Sequence, residues 1–127
     1  MSTVRLIEES EAEGKTAEVY EDIQRTFGVL PDLFKALGNR PEVLEATWMR
    51  VKTIMTSGTL DRKTKEFIAV AISATNACSY CIDTHTAMLK GLGASDQEIV
   101  EALSVADLFN GLNAFATGVR LDSDLKP

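Results

Sequence analysis

No stretch of this sequence alternates apolar and polar residues for long enough to make a half-buried strand, and hairpin-closing pairs such as Asn-Gly are scarce between its apolar segments. Apolar residues recur instead three and four positions apart, in segments stopped by Gly, Asn or Pro. That pattern predicts an all-α fold, a single helical bundle.

The helices follow from the stops. One is predicted over Lys15–Phe27, with Ala17, Val19, Tyr20, Ile23 and Phe27 as its apolar stripe and Gly28 as its end. Pro31 sets the first turn of a short helix that stops near Gly38 and Asn39. Pro41 opens the next, running to about Ser57, with Val43, Leu44, Trp48, Val51, Ile54 and Met55 inward. The segment Leu60–Thr75 has Asp61 as its N-cap and is apolar nearly all round from Phe67 to Ala74, which predicts burial on most sides. Asn76 and Ala77 break the pattern, and a further helix begins at Cys78 or Ser79 and ends at "KGLG". Ser95 and Glu98 form a capping box for a last long segment, in which Asn110 and Gly111 mark a kink or interruption. With no repeat or linker, the 127 residues read as one domain (1–127), its core spanning about 29–110 between a polar N-terminal arm and a loose C-terminal tail.

The net charge of −6 is spread along the chain, whereas nucleic acid and anionic membrane both require clustered Lys and Arg; neither is expected as a partner. The longest apolar run, Phe67–Ile72, is far short of the roughly 20 residues that cross a bilayer. The opening "MSTVRLIEESEAEG" lacks the basic-then-apolar order of a secretion signal, so the expected compartment is cytoplasmic. In a reducing compartment a lone CxxC points to catalysis or metal binding rather than to a structural bridge.

Both cysteines and the only histidine fall within "NACSYCIDTHT", residues 76–86. At positions i, i+3 and i+7 of a helix, Cys78, Cys81 and His85 form one stripe. Thiols three apart can close into a disulfide, a helix N-terminus favours thiolate, and a histidine one turn past Cys81 can take its proton. Such a histidine needs an orienting group, and the preceding helix offers Glu66. In one continuous rod Glu66 would lie roughly 18 Å from Cys78; only if the chain reverses at Asn76–Ala77 into an antiparallel hairpin does Glu66 come within a turn of His85. The alternatives are buried cysteines that merely fill space, a zinc site short of its fourth ligand, and a Glu66 that is one more solvated charge after Asp61, Arg62, Lys63 and Lys65. Tyr80, Trp48 and Met88 read as packing, and Asp83 as an exposed helix carboxylate.

The order Glu66, Cys78, Cys81, His85, an E-x11-C-x2-C-x3-H string, resembles the carboxymuconolactone decarboxylase family in its alkylhydroperoxidase AhpD-like branch. The likeness extends from about Val29 to Leu103. It implies an all-helical fold assembled as a homotrimer or homohexamer, and an enzyme that reduces hydroperoxides through its cysteine pair with neither metal nor organic cofactor. Carried over, Cys81 would be the attacking thiolate and Cys78 the accessible partner that gives a proton and then closes the disulfide, with Glu66 and His85 as the proton relay. The reductant implied is a dithiol, such as a lipoylated or thioredoxin-like protein. AhpD enzymes carry a second histidine just before the later cysteine, where this chain has Tyr80, and they contain two related helical halves where this chain is shorter. The decarboxylase branch lacks the cysteine pair. Beside the peroxidase reading stand a thiol-disulfide oxidoreductase or redox sensor using the same pair, and an oligomeric protein whose Cys-Cys-His cluster holds structural zinc.

Overall fold

Six α-helices and one 3-10 turn at Glu9–Glu11 account for the regular structure, and there is no strand. In the computed structural model, which describes Met1 to Pro127, the helices are α1 (Gly14–Phe27), α2 (Asp32–Leu37), α3 (Pro41–Thr56), α4 (Arg62–Thr75), α5 (Ser79–Gly91) and α6 (Asp96–Val119). The expected boundaries agree to within two residues. The exception is the last segment, which passes through Asn110 and Gly111 as one continuous 24-residue helix.

The chain divides into two compact units, Met1–Asp61 and Arg62–Pro127, each with its own buried cluster. In the first, Val19, Tyr20 and Ile23 of α1 pack with Phe34 of α2 and with Leu44 and Trp48 of α3. Phe27 and Phe34 meet the Trp48 ring edge to face, with centroids 5.1 and 5.6 Å away. The indole N–H donates to Asp22 Oδ2 at 2.7 Å, and Lys52 holds the same carboxylate. These contacts pull the Asp22 carboxyl below its usual range, with the lysine contributing most. Val43 and Ile54, expected to point inward from α3, are exposed; Leu44, Trp48 and the partly buried Val51 form the side of α3 that packs into the cluster.

In the second unit α4 packs against α5 and α6 around Val70, Leu89, Ala94 and Ile99, with Phe67 and Leu103 at the margin. The Ser95–Glu98 capping box forms as expected, and Glu98 also accepts from Lys63 of α4 at 3.0 Å, tying the start of α6 to that helix. The expectation that α4 is buried on most sides needs correcting. Its buried stripe is Glu66, Val70 and Ser73, and Ile68 and Ile72 on the opposite side are 46% and 55% exposed. Helix α6 is similar: beyond Leu103 its apolar residues, among them Leu108, Leu112 and Phe115, face outward. By length and composition α6 also reaches what a membrane-crossing helix needs, which the unbroken run Phe67–Ile72 does not.

Candidate active site

The hairpin that the site requires is present, and its turn is built by the end of α4. The Ala77 N–H donates to Ala74 O at 3.1 Å and the Cys78 N–H to Ser73 O at 3.0 Å, with Ala77 in the left-handed region at φ 54°. This is the double hydrogen bond of a Schellman stop, with alanine where glycine is usual. Cys78 therefore closes α4 and, as the N-cap of α5, opens the next helix. Its sulfur takes the place of the serine or aspartate oxygen common at that position, accepting the Cys81 N–H at 3.3 Å.

Both cysteines are free thiols and both are half-exposed. Their ionisation differs. The Cys78 thiol is lowered from its ordinary value, chiefly by the hydrogen bond from the Cys81 side chain and next by the Cys81 amide. The Cys81 thiol is raised, because donating to the Cys78 sulfur holds its proton in place. Of the two sulfurs, Cys78, at the positive end of α5, is therefore the one that gives up its proton more readily. An alkylating reagent at neutral pH is expected to modify Cys78 before Cys81, as peptide mapping after brief exposure would show; equal labelling of the two, or Cys81 first, would contradict this order.

One turn past Cys81 on α5, His85 Nδ1 meets Glu66 Oε2 of α4 at 2.7 Å. Glu66 is 1% exposed, so the reading of it as a solvated charge fails: it lies on the buried stripe of α4. Its other oxygen, Oε1, accepts from Arg62 Nε at 3.4 Å, and no buried side-chain polar atom lacks a partner. A carboxylate held on the Nδ1 side leaves Nε2 as the imidazole's other functional position. All four expected residues therefore belong to one helical hairpin, Cys78 hydrogen-bonded to Cys81 and Glu66 to His85, with Cys81 on the same helix as the histidine and Cys78 at its N-cap. Arg62, passed over in the sequence as part of a charged run, joins them. Tyr80 is exposed, Asp83 is exposed, and Met88 is half-buried with its sulfur 3.8 Å from Arg62 Nη2. No three His, Cys, Asp or Glu side chains converge as a metal-binding group, so the zinc reading finds no donor set here.

The sequence pattern of the carboxymuconolactone decarboxylase family matches residues 41–123. The chain belongs to that family. Within it, an alkyl hydroperoxide reductase of Mycobacterium tuberculosis is 36% identical over 85 residues, which is 67% of this chain and 25% of that protein. The alkyl hydroperoxide reductase AhpD of Coxiella burnetii is 36% identical over 64 residues, covering 50% of this chain and 36% of that one. The chain thus spans a quarter to about a third of the length of these two relatives. The crystal structure of an alkylhydroperoxidase AhpD core from Rhodospirillum rubrum superposes with a TM-score of 0.92 at 35% identity, covering 98% of this chain and 95% of that one. The likeness places the chain on the AhpD-like side of the family and bears out the all-helical fold.

Proposed function

We propose that this protein is a thiol-dependent peroxidase that reduces small or alkyl hydroperoxides through Cys78 and Cys81. The observation that carries the reading is the juxtaposition in one hairpin of a hydrogen-bonded CxxC pair with a half-buried histidine held by the buried Glu66 carboxylate one turn away. The AhpD-type relatives supply the substrate class.

Two sulfurs and one imidazole hold two protons among them, and attack begins when Cys81 holds neither. The Cys81 thiolate attacks the terminal peroxide oxygen and displaces the alkoxide: a sulfur–oxygen bond forms, the O–O bond breaks, and the alkoxide leaves with the electron pair. The Cys78 thiol gives its proton to that alkoxide, releasing the alcohol. The resulting Cys78 thiolate attacks the Cys81 sulfenic acid, forming the disulfide and expelling hydroxide, which takes the proton held on His85 and leaves as water. The sulfurs are oxidised by two electrons and the peroxide is reduced by two. An external dithiol, such as a lipoylated or thioredoxin-like protein, returns the pair to thiols.

The outward apolar faces of α4 and α6 suit a homotrimer or homohexamer, since two small units have little further surface with which to cover Ile68, Ile72, Leu112 and Phe115. Light scattering is expected to report one of those two assemblies, and a stable monomer at micromolar concentration would count against them.

Turnover decides the function. Purified protein supplied with a hydroperoxide and a panel of dithiol donors is expected to consume peroxide catalytically with at least one of them. Thiol–disulfide exchange with no peroxide loss for any donor would favour the oxidoreductase or redox-sensor reading, to which Tyr80 in place of the second AhpD histidine lends weight.

A further inference from the structure

The proposed mechanism uses His85 but leaves unexplained why its partner, the Glu66 carboxylate, sits at 1% exposure on the buried stripe of α4 beside Val70 and Ser73. A buried carboxylate needs a compensating charge or several hydrogen-bond donors, or it is expensive to ionise. Its two oxygens are divided between two partners. Oε2 faces His85 Nδ1 at 2.7 Å and Oε1 faces Arg62 Nε at 3.4 Å, one turn earlier on α4. The same guanidinium extends across to α5, where its Nη2 lies 3.8 Å from Met88 Sδ, three residues past His85. Arg62 therefore touches both strands of the hairpin at the level of the relay. Its side chain is 24% exposed, against 2% for that of Glu66, so the cation spans from solvent to the buried anion.

We propose that Arg62 is a positioning residue of this site: its guanidinium holds the Glu66 carboxylate turned toward His85, which fixes the imidazole proton on Nδ1 and leaves Nε2 as the acceptor for the cysteine pair. Arginine suits the task because its charge is permanent and its planar fork can hold one carboxylate oxygen while bridging to a second group. Without that cation, the carboxylate would face only a titratable ring. It could then rotate away, which releases Nδ1 and lets the imidazole adopt its other tautomer, in which Nε2 carries hydrogen and can accept nothing.

The inference deepens the peroxidase reading and rests on it for the step being served, but its test has a readout independent of turnover. His85 is the only histidine in the chain, so histidine-selective 15N labelling gives one unambiguous pair of ring signals. With the ring neutral, the wild-type protein is expected to show Nδ1 protonated and Nε2 bare. Arg62→Gln should move both signals toward a tautomer mixture and slow peroxide-driven Cys78–Cys81 disulfide formation by about tenfold or more, below the roughly 100- to 10,000-fold worth of a positioned acid or base itself. Arg62→Lys, which restores a cation, should recover the wild-type ring pattern and most of the rate. A folded Arg62→Gln protein with unchanged ring signals would overturn the assignment. If Arg62→Gln fails to fold, Arg62→Lys decides: retention of the Nδ1 proton supports the role, and a tautomer mixture overturns it. Wild-type protein inert to every peroxide, yet showing the arginine-dependent tautomer, would sink the peroxidase reading and leave the positioning role standing.

Discussion

Cys81→Ser is expected to abolish hydroperoxide reduction, whereas Cys78→Ser should still permit one attack and stop with a trappable sulfenic acid on Cys81. The asymmetry follows from the proposed division of labour, in which Cys81 forms the sulfur–oxygen bond and Cys78 only supplies a proton and closes the disulfide. The resting charge makes this a demanding expectation. Cys78 is the sulfur whose thiol is lowered, through Cys81's side chain and amide, and Cys81 the one whose thiol is raised. Attack from Cys81 therefore requires its proton to move first onto the adjacent Cys78 sulfur, which then holds the proton it gives to the alkoxide. A sulfenic-acid probe followed by peptide mapping distinguishes the cases. Label on Cys78 in the Cys81→Ser protein, with none on Cys81 in the Cys78→Ser protein, would reverse the roles and make the resting thiolate the attacking one.

The second large effect is expected at Glu66. Glu66→Gln preserves volume in a site that is almost wholly enclosed, but its amide cannot carry the charge that His85 and Arg62 face. The rate of disulfide formation by peroxide at neutral pH should fall by about 100- to 10,000-fold, the usual worth of a positioned proton acceptor. Because the Cys81 thiol is raised by its bond to Cys78, its thiolate is scarce at neutral pH and grows as pH rises. The variant should therefore regain part of its rate in alkaline solution, where the thiol ionises unaided. Stability should drop by no more than about 1–3 kcal/mol, the cost of one mismatched buried hydrogen bond, since the amide turns one donor toward a donor. Rates within a few-fold of wild type at every pH, in a protein that stays folded, would leave Glu66 a structural residue and require the relay to be rebuilt on His85 alone.

The helices were legible because their stops are local: Gly28 takes φ 79° at the end of α1, Pro41 opens α3, and Ser95 with Glu98 caps α6. The Glu66–His85 contact was legible for a different reason. Once the chain reverses at Asn76–Ala77, register alone brings the two residues together, and the reversal is itself encoded by the break in the apolar pattern. What periodicity could not disclose was coverage. A segment apolar all round, such as Phe67–Ala74, does not say which of its faces a neighbour covers, and in the structure Val70 is buried while Ile68 and Ile72 are not. Asn110–Gly111 looked like an interruption because both residues favour turns, yet the helix on either side carries them through. Arg62 was missed because an arginine among Asp61, Lys63 and Lys65 looks like a solvated face, and only the three-dimensional contact with Glu66 separates it from them. The charge difference between the cysteines was equally hidden. A CxxC string is symmetric to the eye, and the asymmetry arises from Cys78 lying at the N-cap, outside the helix that holds Cys81.

The proposed function makes the two thiols one two-electron reductant of a hydroperoxide. Its most direct measurement is a single-turnover titration: reduced protein is mixed with a substoichiometric alkyl hydroperoxide and no external donor, and the thiols lost and alcohol formed are counted together with the intact mass. Two thiols should disappear for each alcohol produced, with the mass falling by two hydrogens and an intramolecular Cys78–Cys81 disulfide recovered on mapping. Peroxide left unconsumed while both thiols remain alkylatable would contradict the account.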